Sequence, residues 1–445
     1  MRTKNKLLLC MLVATVLVGI VAVAFTGCSK TVSPIDMTPA SVFMDQDYYI
    51  GTGNTLDLSA AFPGANGFAY EGDNATVDGN TMTATEEGEG SLSFTDANGT
   101  AVTKKLFAVD GMNVTTEEEI RAQLKDSKNV VLHADIETTG KESFQMDDLS
   151  FYGNGHVMMV NSIVVEEGAF VATEKGLHLQ DLQIIGKKVV EGDGSKLEDF
   201  EEYGALVDIT AEDASIKKDG DVWEYYPSVI KNCILENGKK LVWLDGVNLT
   251  MEGCILRNAA DAIIASRTSK KTGSTITLEN NVLVNSVVAG FLFCGWSEAA
   301  EDSQQTLNIK GFLDIYNWKS TDNAKLMPSN EDFAFFINEL VKKEMNKKEY
   351  EPYIHNEGGK KYVHVGIIRL ATTGLPSQDP VITGLENANL EEKDFPIPQG
   401  AKSLGIVNTC ILYSFPNDGN PPIGPTATIA DNPNLYQELR NGRSA

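Results

Sequence analysis

The sequence predicts an all-β chain organised as a stacked solenoid, and three observations carry that expectation. The first is a line that repeats between Ser228 and Phe293. Val229-Ile230-Lys231-Asn232-Cys233-Ile234-Leu235-Glu236-Asn237 is followed by Leu249-Thr250-Met251-Glu252-Gly253-Cys254-Ile255-Leu256-Arg257-Asn258, then by Ile276-Thr277-Leu278-Glu279-Asn280-Asn281-Val282-Leu283-Val284-Asn285. Each line has apolar residues two apart, a polar or glycine step, a small or apolar residue, a second apolar one and an asparagine. The second observation is spacing: from Asn237 through Asn258 and Asn285 to Asn317 the steps are 21, 27 and 32 residues. The third is a further register, in which Leu241, Ala262 and Ala289 lie four residues past each asparagine and Trp243, Ile264 and Phe291 lie six past. Two-residue periodicity makes this a second short strand per turn and directs Trp243 inward. No single turn can bury its apolar face alone, so each depends on its neighbours.

Earlier and later segments extend the pattern. Leu177 to Gly186 is a copy with glycine for asparagine, and Leu307 to Asn317 is a copy one residue longer. In this form the repeat resembles the right-handed parallel β-helix of the pectate-lyase-like superfamily, over about residues 112–415. That resemblance implies an inward asparagine ladder at Asn237, Asn258, Asn285 and Asn317. It reaches fold alone, because the scaffold carries lyases, hydrolases, esterases, adhesins and tailspikes. Calcium is the one cofactor it could imply, and only for a lyase-like member.

Bulk properties narrow the classes. With 62 acidic and 37 basic residues the formal charge is -25, and no basic patch stands out after the leader, so no nucleic-acid partner is expected, since that would require clustered positive charge. Arg2, Lys4 and Lys6 precede an apolar run of 19 residues from Leu7 to Phe25, the form of an export signal. Phe25-Thr26-Gly27-Cys28 resembles a bacterial lipobox, with Phe25 departing from the usual leucine. The resemblance implies residues 1–27 as signal peptide, Cys28 as the lipidated residue, and an extracytoplasmic body anchored by lipid to the cell membrane or outer membrane. An uncleaved membrane anchor is the alternative. Cys233 and Cys254 occupy the same repeat position 21 residues apart, so they should stack one strand spacing apart, as buried thiols or as a disulfide. No CxxC, HExxH or His/Cys cluster is present, so no metal site is expected.

In chain order, residues 28–47 read as a tether. Residues 48–111 carry short alternating runs with turns at Asp78-Gly79-Asn80 and Ala97-Asn98-Gly99, a small β-sandwich-like unit. The order Ala75 to Thr85, then Gly88-Glu89-Gly90-Ser91-Leu92, resembles a bacterial immunoglobulin-like (Big-type) module. A β cap on the solenoid is the alternative. Thr116 with Glu119 forms a capping-box pattern ahead of Ile120 and Leu124, a short helix covering the first coil. The stripe Phe333, Phe336, Ile337, Leu340 and Val341 predicts a side helix over 330–344, and residues 416–445 form a proline-containing tail. Tyr362–Leu370 and Gly405–Tyr413 read as late coils or a closing sheet.

Three functional readings follow. The favoured one is a noncatalytic surface lipoprotein presenting its solenoid to a glycan or a surface protein. Its ligand candidates are Trp223, Tyr225 and Tyr226, an aromatic trio in an insert. The second is a polysaccharide lyase or glycoside hydrolase using Glu236, Asp245, Arg257, Asp261 and Arg267, which lie where acidic and basic residues of adjacent coils could meet. The third is a structural envelope protein without a ligand.

Overall fold

The computed structural model describes residues 47–140, 142–161, 168–187, 205–210, 216–219, 222–268, 273–286, 289–294, 304–316, 354–357, 360–363, 368–370, 380–384, 387–389, 405–407 and 410–412. The expected leader, Cys28, nearly all of the tether, the side helix 330–344, Asn317 and the tail from 416 lie outside the described residues. The chain is all-β, with long parallel sheets compatible with a β-helix-like solenoid. Between Met112 and Asn389, 20 strands join through pairings that are all parallel.

Register explains why this sequence stacks. Along one flank Phe151, Leu179, Ile230, Met251, Leu278 and Ile309 lie over one another on successive strands. A second column is Met158, Ile184, Leu235, Leu256 and Leu283. A third is Phe170, Val207, Val242, Ile264 and Phe291. All sixteen belong to one core cluster, and none is more than 4 % exposed. At about 1.5–3 kcal/mol for each large apolar side chain removed from water, these columns are the main force holding the coils together.

Between the first and second flanks the chain turns at one repeated position. Asp181, Asn232, Gly253, Asn280 and Gly311 follow register partners and all have φ between 48° and 64°. This left-handed backbone costs little only for glycine and for short polar residues, which is the physical meaning of the repeated polar or glycine step. After the first four corners the next residue is buried and points inward, as Leu182, Cys233, Cys254 and Asn281, so Cys233 lies over Cys254: Ile255 N donates to Cys233 O at 2.9 Å, and Val282 N to Cys254 O at 2.9 Å. Both cysteines are buried and free.

Of the expected asparagine ladder the structure describes the backbone alone. Register brings the backbone of Asn237, Asn258 and Asn285 to equivalent positions, but their side chains lie outside the described residues. One buried amide that joins coils is Asn281, in the cysteine column. Its Oδ1 accepts from Cys254 N at 2.9 Å and its Nδ2 donates to Met251 O at 3.0 Å.

The ends also follow local chemistry. Helix Glu117–Lys125 has its capping box, with Glu119 N donating to Thr116 Oγ1 at 3.2 Å and Glu119 Oε2 accepting from Thr116 N at 3.2 Å. Its buried Ile120 and Leu124 join the core of the first coils. Before it, a four-stranded sheet and a three-stranded sheet enclose a separate core of Tyr48, Ile50, Leu58, Met82, Leu92 and Leu106. Late in the chain Ile368–Leu370 adds a parallel strand to Ala289–Cys294, whereas Ile354–Glu357 with Lys360–Val363, and Gly405–Val407 with Cys410–Leu412, form antiparallel hairpins.

Candidate functional site

The outer faces of the parallel flanks hold the residues with chemistry. In strand Ile234–Asp245 the side chain of Leu235 points inward, so Glu236 points outward, in register with Ile185, Arg257 and Val284. Glu236 is fully buried nonetheless. Its Oε1 accepts from Gln183 Nε2 at 2.8 Å and its Oε2 from Arg257 Nε. Both oxygens of Glu236 are occupied, so it forms a closed ion pair with Arg257.

Further along the same strand lies a second pair. Asp245 Oδ2 accepts from Arg267 Nε at 3.1 Å and from Arg267 Nη2, whereas Asp245 Oδ1 is sealed from solvent without a hydrogen-bond partner. Burial raises the Asp245 pKa, and the Arg267 guanidinium pulls it back only in part.

Beside this pair sits Trp243. The sequence register directs it inward; the structure turns it outward and leaves it half-buried. The cause is one extra residue in strand Ile255–Arg267. Gly238 pairs with Ala259 but Lys240 with Ala262, so Val242, not Trp243, lies over Ile264. Such a bulge re-aims every side chain after it. Trp243 instead aligns with Asp208 on the preceding coil and with Ala265 and Leu292 on the following ones. Lys240 Nζ and Arg267 Cζ each lie 5.4 Å from its ring centroid. Buried Asp208 accepts from Thr210 Oγ1 at 2.8 Å, and Thr210 pairs with Asp245.

The remaining expected residues separate from this cluster or fall outside the description. Asp261 lies within the bulge, between Ala259 and Ala262, and its side chain is not described. Trp223 and Tyr225 lie on strand Val222–Tyr225, which pairs antiparallel with Ile216–Asp219, so the insert is a hairpin; their side chains are not described either. Tyr226 is partly exposed just before strand Pro227–Lys231. Among the described residues no three His, Cys, Asp or Glu side chains gather as metal ligands. Thus Asp245 and Arg267 meet, Glu236 and Arg257 meet, and sequence reasoning missed Asp208, Thr210, Lys240 and the outward Trp243. The alternation Val207-Asp208-Ile209-Thr210 was the available signal for the first two.

No family model matches the chain, and no curated protein or solved structure matches it.

Proposed function

We propose that this chain is a lipid-anchored surface protein whose right-handed parallel β-helix binds a glycan without cleaving it, with the N-terminal sheets as an immunoglobulin-like module. The observation that carries this reading is half-buried Trp243 on an outer face, with Lys240 Nζ and Arg267 Cζ over its ring at 5.4 Å. A sugar offers an apolar ring face edged with hydroxyls, and an indole flanked by cationic donors complements both. Parallel pairing on either side holds the three side chains in fixed relation, which limits the ordering cost of binding. The lipid anchor rests on Cys28 and its preceding residues. The mass of the mature N-terminus tests it, an unmodified uncleaved chain being the contrary result.

Binding is tested with a panel of neutral and acidic polysaccharides against the purified chain and Trp243→Ala. The variant should lose about tenfold in affinity, equivalent to ~1.4 kcal/mol, with its circular dichroism unchanged. Equal binding by both proteins overturns the platform, and no binding by either favours a ligand-free structural role. A second reading, polysaccharide cleavage, draws support from Asp245, whose raised pKa and unpartnered oxygen suit a proton donor. Release of reducing or unsaturated ends by the parent chain, and its loss in Asp245→Asn, would favour that reading over simple binding.

A further inference from the structure

The joint between the N-terminal sheets and the first parallel coils contains two titratable groups, the buried Asp181 and the half-buried His133, that neither the glycan face nor the apolar columns use. Strand Tyr48–Gly51 forms this joint. Tyr49 N donates to Asn154 Oδ1 at 2.8 Å, Asn154 Nδ2 donates back to Tyr49 O at 3.0 Å, and Gln180 Nε2 donates to the Tyr49 hydroxyl at 2.5 Å. The Tyr49 ring stacks on Phe107 and on Tyr152, with centroids 5.5 and 4.5 Å away. The neighbouring Tyr48 hydroxyl meets His133 Nδ1 at 3.2 Å, while His133 Nε2 is sealed from solvent with no partner. Asp181, next to Gln180, is fully buried, and neither carboxylate oxygen makes a well-formed hydrogen bond.

A group so incompletely hydrogen-bonded in such a place is tolerated when neutral and costly when charged. Neutrality has opposite meanings for the two: the imidazole must give up a proton, and the carboxyl must take one. We propose that the joint is proton-balanced, closing with release of one proton at His133 and uptake of one at Asp181, so that it holds equally well across the mildly acidic range and becomes a pH switch when either group is removed.

The charges around each group fit this assignment. Burial holds the His133 pKa down to about 3, and the nearby His156, itself 3.1 Å from Asp135, opposes its protonation further. Burial lifts Asp181 to about 6; Asp47 adds to the rise, while Asn232, Gln180 and Lys231 pull it back. Lys231 is also bridged to Glu252 at 3.2 Å. Tyr48 and Tyr49 are both held above the ordinary phenol range, chiefly by burial, and the thiols of Cys233 and Cys254 are raised as well. A histidine with a depressed pKa withdraws stability as pH falls below its ordinary 6.5, and a carboxyl with a raised one withdraws it as pH rises above its ordinary 3.8. Between about pH 4 and 6 the two slopes are opposite in sign, approach one proton each near pH 5, and largely cancel.

Hydrogen exchange of the Tyr49 amide in the full chain, corrected for intrinsic rates, reads the opening of this joint. Wild-type protection should be flat from about pH 4 to 6, Asp181→Asn should lose about tenfold for each unit of acidification, and His133→Gln should gain about tenfold per unit. A wild-type slope approaching one proton overturns the balance. So does a flat profile in either variant, and each variant is decisive if the other fails to fold.

Discussion

Glu236 and Asp245 are outward carboxylates on one strand, each buried and each met by an arginine from the next coil. They differ in how completely they are satisfied. Glu236 has both oxygens engaged, so removing its cation leaves a buried charge with the Gln183 amide alone. Arg257→Leu should cost about 3–5 kcal/mol in urea denaturation, whereas Glu236→Leu with Arg257→Leu should come close to neutral, since a well-packed apolar pair avoids the desolvation cost altogether. A single variant no less stable than the double would remove the ion pair from any structural role. Asp245 keeps one oxygen bare, and its pKa is raised by burial. Its contribution to stability is therefore complete below the ordinary carboxylate range and is lost as pH rises through the higher folded value. Stability measured from pH 3 to 7 should show this decline in the parent chain and lack it in Asp245→Asn.

At the scale of the element, the left-handed corner governs how each coil turns. Gly253 has φ +63°, and a Cβ there would stand 2.6 Å from Asn232 Oδ1 on the coil before. Gly253→Ala should cost about 1–2 kcal/mol for the backbone alone, with a further loss if the Asn232 side chain must move. Asn280→Gly at the equivalent corner relieves strain and should shift the thermal midpoint little; equal losses at both positions would refute the steric account. These corners were legible in the sequence because the backbone demands one of few residues there: Asn232, Gly253 and Asn280 stand at the same place in three lines. The capping box at Thr116 and Glu119 was legible for the same reason, being a short-range bond between named groups. The bulge between Ala259 and Ala262 was not, because one extra residue in a strand leaves composition and alternation almost unchanged. A constant step of 21 residues therefore misplaces Trp243 by one position and assigns an outward, half-buried ring to the core. Nor was the joint at Tyr49 legible, since its partner Asn154 is 105 residues away and no local pattern marks either.

For the whole molecule, parallel stacking means that a coil in the middle is covered on both sides, and that its interior opens only when neighbours separate. Cys233 and Cys254 report on this directly. They follow corners on adjacent coils, both are completely buried, and burial pushes the Cys254 thiol up to about 12 and Cys233 well above its ordinary value. Their sulfurs are held by backbone: Cys233 Sγ donates to Lys231 O at 3.2 Å and Cys254 Sγ to Ile230 O at 3.3 Å. A thiolate at either position would lose that bond and gain a desolvation penalty, so the native stack suppresses both access and nucleophilicity. Labelling by a disulfide reagent near pH 8 should therefore be slow for both thiols, and its rate should climb with urea in parallel with loss of β circular dichroism. Replacing Leu256, one of the apolar residues that ties their coils together, with Ala should cost about 2–5 kcal/mol and accelerate the labelling of both by the matching factor. Rapid labelling without added urea, or acceleration of one thiol alone, would mean that the two do not share a closed interior.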